Sequence, residues 1–178
     1  MVYVLMAEGF EEIEALTVTD ILRRAGIKTE LVSISGSKTI TGAHGIKVTA
    51  DINVEEITDD YDVIFLPGGY PGYVNLENSI PAKRIIADAN DNNKIIAAIC
   101  AAPSILGKMN LLVGKNACCF PSFENELIGA NVMFDDVVCS GNIITSRGAG
   151  TAHKLGFKLV ETLKGVDTAK QLAETMVY

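Results

Sequence analysis

The chain has 178 residues, a length at which one domain can bury a hydrophobic core of its own. Hydrophobic residues make up 48% of it, which excludes an intrinsically disordered protein, and the net charge of −7 without a basic run argues against nucleic-acid binding. The longest apolar stretch, residues 95–106, is too short to span a bilayer and contains Pro103, so we predict no membrane partner.

The first residues and the cysteines indicate a compartment. The chain begins with a strand-like segment at residues 2–6, without a basic and apolar leader. In that setting we expect its four cysteines to be reduced thiols rather than a disulfide framework: Cys100, Cys118, Cys119 and Cys139. These features predict a soluble, cytoplasmic protein.

Strand and helix patterns alternate along the chain. Short apolar or alternating segments predict strands at 2–6, 28–33, 47–50, 63–66, 95–99, 116–120, 132–134, 137–139 and 143–145. Amphipathic segments predict helices at 11–25, 81–91, 101–109, 151–163 and 168–176, and Gly42 and Gly45 predict the bend of a β-ribbon. This order predicts a single α/β domain over 1–178, with a mostly parallel central sheet covered by helices on both faces. Ligand sites in such sheets lie beyond the carboxyl ends of the strands.

Cys100 ends the apolar segment 95–99 and is followed at once by small residues and Pro103. A strand, a tight turn with a reactive side chain and an immediate helix form a nucleophile elbow. Unpaired N–H groups at the start of a helix favour a thiolate, so we expect a lowered pKa for Cys100. The alternative is an ordinary buried cysteine on a strand.

Glu14 lies on the apolar face of the first predicted helix, with Val18 and Ile21. A buried carboxyl has a raised pKa, so Glu14 could stay protonated near neutral pH and donate a hydrogen bond to a thiolate. Once ionised, it could move a proton on a substrate. The alternative is a glutamate in the first turn that only complements the helix dipole.

Gly68 and Gly69 follow the predicted strand 63–66 at the same edge of the sheet as Cys100. Their N–H groups could face an oxyanion beside the sulfur, together with the N–H of Ala101. A double glycine is also common in simple turns, and residues 67–72 match neither a dinucleotide fingerprint nor a phosphate loop.

These segments together resemble the ThiJ/PfpI superfamily, and most closely its DJ-1 branch. The matching segments occur in family order over nearly the whole chain: AEGFEEIE at 7–14, RRAGI at 23–27, LPGG at 66–69, AAICAAP at 97–103 and TSRGAG at 145–150. The resemblance implies a flavodoxin-like three-layer sandwich and a homodimer. It also implies one of the activities described for the family: cofactor-free glyoxalase or deglycase, redox-responsive stress protein, chaperone or, in the PfpI branch, peptidase.

On this resemblance, Cys100 corresponds to the oxidisable nucleophilic cysteine and Glu14 to the protonated glutamate that hydrogen-bonds it. Gly69 and Ala101 correspond to the backbone donors near the sulfur. The chain departs from the family at Ala102, where a glycine is frequent, and at Phe120, where many relatives carry a histidine. Without that base a cysteine–histidine peptidase is not expected.

The remaining candidates have structural alternatives. We expect Cys118, Cys119 and Cys139 to pack in the core, although Cys118 or Cys119 could instead act as a resolving thiol. Arg147 could bind a substrate anion but is expected to fix its loop through hydrogen bonds to carbonyls. The two histidines, His44 and His153, are expected at surface or structural positions, and no metal site is expected because no carboxylate–histidine cluster has ligand spacing.

The sequence is compatible with three functional hypotheses. The first is a cofactor-free enzyme in which Cys100 and Glu14 convert a small dicarbonyl such as methylglyoxal. The second is a redox sensor and chaperone that works by oxidation of Cys100, and the third is a binding module with an inert cysteine. Ile13 and Leu16 on the first helix are the expected dimer contacts.

Overall fold

The computed structural model describes all 178 residues and contains eleven strands and six α-helices. The strands are β1 (Val2–Met6), β2 (Thr29–Ser33), β3 (Thr39–Thr41), β4 (Lys47–Thr49), β5 (Ile52–Asn53), β6 (Val63–Leu66), β7 (Ile95–Ile99), β8 (Asn116–Ala117), β9 (Asn131–Val132), β10 (Val137–Ser140) and β11 (Ile143–Ser146). The helices are α1 (Glu12–Arg24), α2 (Gly72–Asn78), α3 (Ile80–Asp91), α4 (Pro103–Lys108), α5 (Ala152–Lys164) and α6 (Val166–Thr175).

Seven strands form the central sheet, in the order β10-β11-β7-β6-β1-β2-β5. All neighbours in it are parallel except β10 and β11. The carboxyl ends of β1, β6 and β7 therefore lie side by side at the middle of one edge, where parallel sheets form their ligand sites. The predicted α/β sandwich with a mostly parallel sheet is confirmed.

Helices cover both faces of this sheet and separate two hydrophobic cores. Strand β1 is buried throughout and alternates, so that Val2, Val4 and Met6 enter one core and Tyr3 and Leu5 the other. The first core contains the buried residues of α1 and α5, and the second contains those of α2, α3 and α4. Contact between α1 and α5 is close at Gly156, where a Cβ would lie 2.8 Å from the Cδ1 atom of Ile21.

Several predicted boundaries were wrong. The strand predicted at 116–120 ends at Ala117, because the N–H of Cys118 donates to the Thr145 hydroxyl and that of Phe120 to the Cys100 carbonyl. The helix predicted at 101–109 begins only at Pro103. Helix α2 and strand β5 were missed, since both are short. None of the helices combines the length and the apolarity that crossing a membrane requires.

Candidate active site

Cys100 forms a sharp turn between β7 and α4. Its φ angle is +64°, in the left-handed region that side chains other than glycine rarely adopt, and its N–H donates to the Ser146 carbonyl at 3.0 Å. Such strain persists only where surrounding contacts hold it, and it is concentrated at functional sites. The half-buried Cys100 therefore has the backbone of a nucleophile elbow.

The carboxyl of Glu14 lies against this turn. Glu14 is fully buried in the first turn of α1, and its Oε2 atom accepts a hydrogen bond from the N–H of Gly68 at 2.8 Å. A Cβ at Gly68 would lie 2.7 Å from the Cys100 Cβ and 2.8 Å from Glu14 Oε2, so only glycine fits between the two side chains. The structure thus brings Cys100, Glu14 and Gly68 together.

Burial raises the pKa of Glu14 to about 7, and the negative charge of Glu11 adds to this rise. The N–H of Gly68 and the Cys100 side chain oppose it by hydrogen bonding to the carboxylate. The carboxyl is close enough to the sulfur for a hydrogen bond to affect both pKa values, while its Oε1 atom has no partner of good geometry. Glu14 therefore has an oxygen free to hold or receive a proton near neutral pH.

The prediction that the pKa of the Cys100 thiol is lowered is wrong. Burial raises its pKa to about 12, and the charge and hydrogen bond of an ionised Glu14 contribute to this rise. The N–H groups of Ala101 and Gly69 oppose it, but α4 has six residues and its dipole is correspondingly small. Because the two groups lie side by side, their protonation is coupled, and the pair gives up one proton much more easily than two. After the first proton is lost, the sulfur is a thiolate in those molecules in which Glu14 carries the remaining proton.

Gly69 is held close to the start of α1. Its φ angle is +91°, and a Cβ there would lie 2.3 Å from the backbone nitrogen of Glu11. Glycine is therefore required at this position, and the turn presents the N–H of Gly69 to the sulfur. Together with the N–H of Ala101, it forms the pair of backbone donors expected beside Cys100.

Phe120 lies beside the turn, and its ring is against Gly148, where a Cβ would lie 3.2 Å from the ring. The side chain is 46% exposed and presents an aromatic surface rather than a base. Arg147 is half-buried and its guanidinium makes no hydrogen bond or ion pair, so the expected loop-fixing role is wrong.

Two hydroxyl groups that sequence reasoning missed hold this loop. The Ser146 hydroxyl contacts the Asp136 carbonyl at 2.8 Å and the Thr151 hydroxyl at 2.7 Å, and the N–H of Gly148 donates to Thr151. No sequence signal distinguishes Ser146 from an ordinary polar residue, because its contact with Asp136 depends on the pairing of β10 with β11.

The other thiols lie in different surroundings. Cys118 and Cys119 are buried, and burial raises the pKa of both. The Thr145 hydroxyl accepts a hydrogen bond from the N–H of Cys118 at 2.9 Å. Core packing is confirmed for these two thiols but is wrong for Cys139, which is exposed on the edge strand β10, next to the buried Val138.

The two histidines have identifiable contacts. His153 stacks on Tyr178 with ring centroids 5.5 Å apart. His44 contacts Glu12 Oε2 at 2.8 Å through Nδ1, and with Glu11 the three side chains bring possible ligand atoms within 4.8 Å of one another. Sequence spacing does not reveal this cluster, because 32 residues separate His44 from Glu12. Glu12 and His44 use these atoms to join α1 to the β3–β4 ribbon.

Comparisons with known proteins identify the family of this fold. The DJ-1/PfpI family model matches residues 1–162. The chain belongs to the DJ-1/PfpI family. It is 37% identical to Protein DJ-1 homolog B of Arabidopsis thaliana over 97% of its length, although it spans only 40% of that protein.

Relatives of similar length also match. The chain is 29% identical to Glutathione-independent glyoxalase DJR-1.2 of Caenorhabditis elegans, and the match covers 95% of this chain and 91% of the relative. The structure of oxidized Toxoplasma gondii DJ-1 superposes with a TM-score of 0.95 at 32% identity, over 99% of this chain and 97% of the other. The resemblance seen in the sequence is confirmed, and the match covers the β1, β6 and β7 ends that carry the site.

Proposed function

We propose that this protein is a cofactor-free enzyme of the glyoxalase type that converts small dicarbonyls, such as methylglyoxal, into hydroxy acids. The observation that carries the proposal is the buried Glu14, whose pKa is about 7, beside the strained Cys100. A group that exchanges a proton near the working pH is suited to general acid–base catalysis. The name of the glyoxalase DJR-1.2 supports this assignment.

In the first step the Cys100 thiolate attacks the aldehyde carbon of the dicarbonyl. A carbon–sulfur bond forms, and the π electrons of the C=O double bond move to the oxygen. Glu14 then protonates that oxygen to give a hemithioacetal. The N–H groups of Gly69 and Ala101 stabilise the developing negative charge.

In the second step the Glu14 carboxylate removes the proton from the former aldehyde carbon, which gives an enediol. Glu14 then returns a proton to the neighbouring carbon, while the hydroxyl proton of the first carbon passes to the oxygen of the second. The first carbon is oxidised to a thioester while the second is reduced to an alcohol, so no external electron carrier is needed. Water then hydrolyses the thioester, which releases the hydroxy acid and restores the Cys100 thiol. Because these steps use only side chains, backbone groups and water, we propose no cofactor.

NMR spectroscopy of the product tests the proposal. With methylglyoxal, wild-type protein should form lactate, while Cys100→Ser and Glu14→Gln should not exceed the rate without protein. Cys139→Ser is the matched control, because it removes an exposed thiol on the edge strand and should keep full activity. Equal lactate formation by wild type and Cys100→Ser would overturn the proposal.

The second candidate is a redox sensor and chaperone that acts through oxidation of Cys100 rather than by turnover. Support comes from the half-buried position of Cys100 and from the related structure described as oxidized. A sulfinate at Cys100 would accept hydrogen bonds from Gly69, Ala101 and a protonated Glu14. Peptide mapping after mild peroxide treatment should then locate two added oxygen atoms at Cys100, and oxidation mainly at Cys118 or Cys119 would contradict this.

A homodimer and a cytoplasmic location complete the proposal. Ile13 on α1 is 53% exposed, and the nearby Ile46 on the ribbon is equally exposed. An apolar surface of this kind supports self-association through α1, with Leu16 at its border. Sedimentation should show a dimer that Ile13→Glu dissociates, and a wild-type monomer would contradict it. The four free thiols fit a reducing compartment.

A further inference from the structure

Three hydrogen bonds join Glu11, Glu14 and Gly68 in a closed ring. The N–H of Glu11 donates to the Gly68 carbonyl at 3.0 Å, and the N–H of Gly68 donates to Glu14 Oε2 at 2.8 Å. The N–H of Glu14 donates to Glu11 Oε2 at 2.7 Å, which closes the ring. The start of α1 and the turn after β6 are thus bound to each other in both directions.

Glu11 has an unusual role in this ring. It is the N-cap residue of α1, a position where short side chains such as serine, threonine, aspartate and asparagine are preferred. Its longer side chain folds back onto the N–H of Glu14 and is only 13% exposed. Gly69 permits the close approach of the Glu11 backbone.

We propose that Glu11 is the positioning residue of this site: through the ring it holds the Glu14 carboxyl against Cys100. It touches neither the sulfur nor the position where a substrate would react, so it acts through Glu14. This inference rests on the proposed function for its catalytic meaning, but its structural consequence can be measured without any substrate.

The charge of Glu11 has a second effect on the same carboxyl. Two negative charges close together disfavour ionisation, so Glu11 helps to raise the pKa of Glu14. The groups that face the two carboxyls are Cys100, Glu12 and His44, whose Nδ1 atom is 3.9 Å from Glu11. Helix α5 packs against α1, but its ion pairs do not involve Glu11 or Glu14: Lys154 pairs with Asp136 and Lys158 with Glu161. Glu12 does not contribute to the Glu14 shift, although it is the next residue.

Carbon-13 NMR titration of the glutamate carboxyls tests the proposal, with Glu14→Gln used for assignment. Glu11→Gln keeps an oxygen that can cap the N–H of Glu14 but removes the charge, so the Glu14 titration should move down by about half a pH unit. Glu11→Ala also removes the cap, so the alkylation rate of Cys100 at its plateau should fall about threefold or more. Glu12→Gln is the matched control, because it removes the same charge one residue away and should leave the Glu14 titration in place.

A wild-type plateau rate of Cys100 alkylation in folded Glu11→Ala would overturn the positioning role. An unchanged Glu14 titration in Glu11→Gln, or an equal shift in Glu12→Gln, would overturn the effect of the Glu11 charge. If Glu11→Ala does not fold, the nearly isosteric Glu11→Gln still decides between these results. A failure of the proposed glyoxalase activity is a separate outcome, because the wild-type protein would then make no lactate while the titration still moved.

Discussion

Cys100 and the Cys118–Cys119 segment show two ways in which this protein buries a thiol. Burial raises the pKa of all three. The Cys118 sulfur accepts a hydrogen bond from the Thr145 hydroxyl at 3.6 Å, whereas the Cys100 sulfur has two backbone donors and a carboxyl with a pKa of about 7. The comparison shows that burial by itself raises the pKa of a thiol. What distinguishes Cys100 is a neighbour that can take its proton.

The largest expected effect concerns the Glu14 side of this comparison. Its pKa is raised from 4.5 to about 7 by folding. Between these values the folded protein binds more protons than the unfolded one, so this contribution to stability is complete below pH 4.5 and is lost as the pH rises through 7. As the pH rises across this window, the free energy of unfolding of wild type should therefore fall by about 3 kcal/mol relative to that of Glu14→Gln. Urea unfolding of both proteins at several pH values measures it, and parallel curves would contradict it.

A substitution at Gly68 tests whether Cys100 and Glu14 must lie as close together as they do. Gly68→Ala places a methyl group 2.7 Å from the Cys100 Cβ, so something must shift. We expect a loss of about 2 kcal/mol of stability and at least a tenfold slower alkylation of Cys100. Gly150→Ala is the control, because a Cβ there meets nothing within 4 Å. Equal behaviour of the two variants would show that the site is not closely packed.

A smaller effect is expected on the other side of the comparison. Thr145→Val removes the acceptor of the buried Cys118 N–H without changing the size of the side chain much. An unsatisfied buried donor costs about 1–2 kcal/mol. Unfolding experiments should show this loss, while the pH profile of Cys100 alkylation stays as in wild type. A changed profile would mean that the two regions are coupled.

Much of the fold and part of the site could be predicted from the sequence. The buried strands β1, β6 and β7 have continuous apolar patterns, and helical periodicity places Glu14 on the buried face of α1. Both signals are local. The proton-sharing pair was predicted only in part, because the charge of Glu14 also raises the pKa of Cys100.

Contacts between distant segments could not be predicted in the same way. The hydrogen bond between Glu11 and Gly68 joins the N-cap of α1 to the turn after β6, and the contact of His44 with Glu12 spans 32 residues. Neither has a periodic or compositional signal. Cys139 was assigned to the core because its residue type is usually buried, but its strand lies at the edge of the sheet.

The most direct test is the pH dependence of iodoacetamide alkylation at each cysteine, measured by peptide mapping in wild type and Glu14→Gln. Alkylation of Cys100 in wild type should rise with a midpoint near pH 7, where the pair loses its first proton. In Glu14→Gln this rise should disappear, and Cys118 and Cys119 should stay protected in both proteins. The same midpoint in both proteins would contradict the claim that Glu14 takes the proton of Cys100.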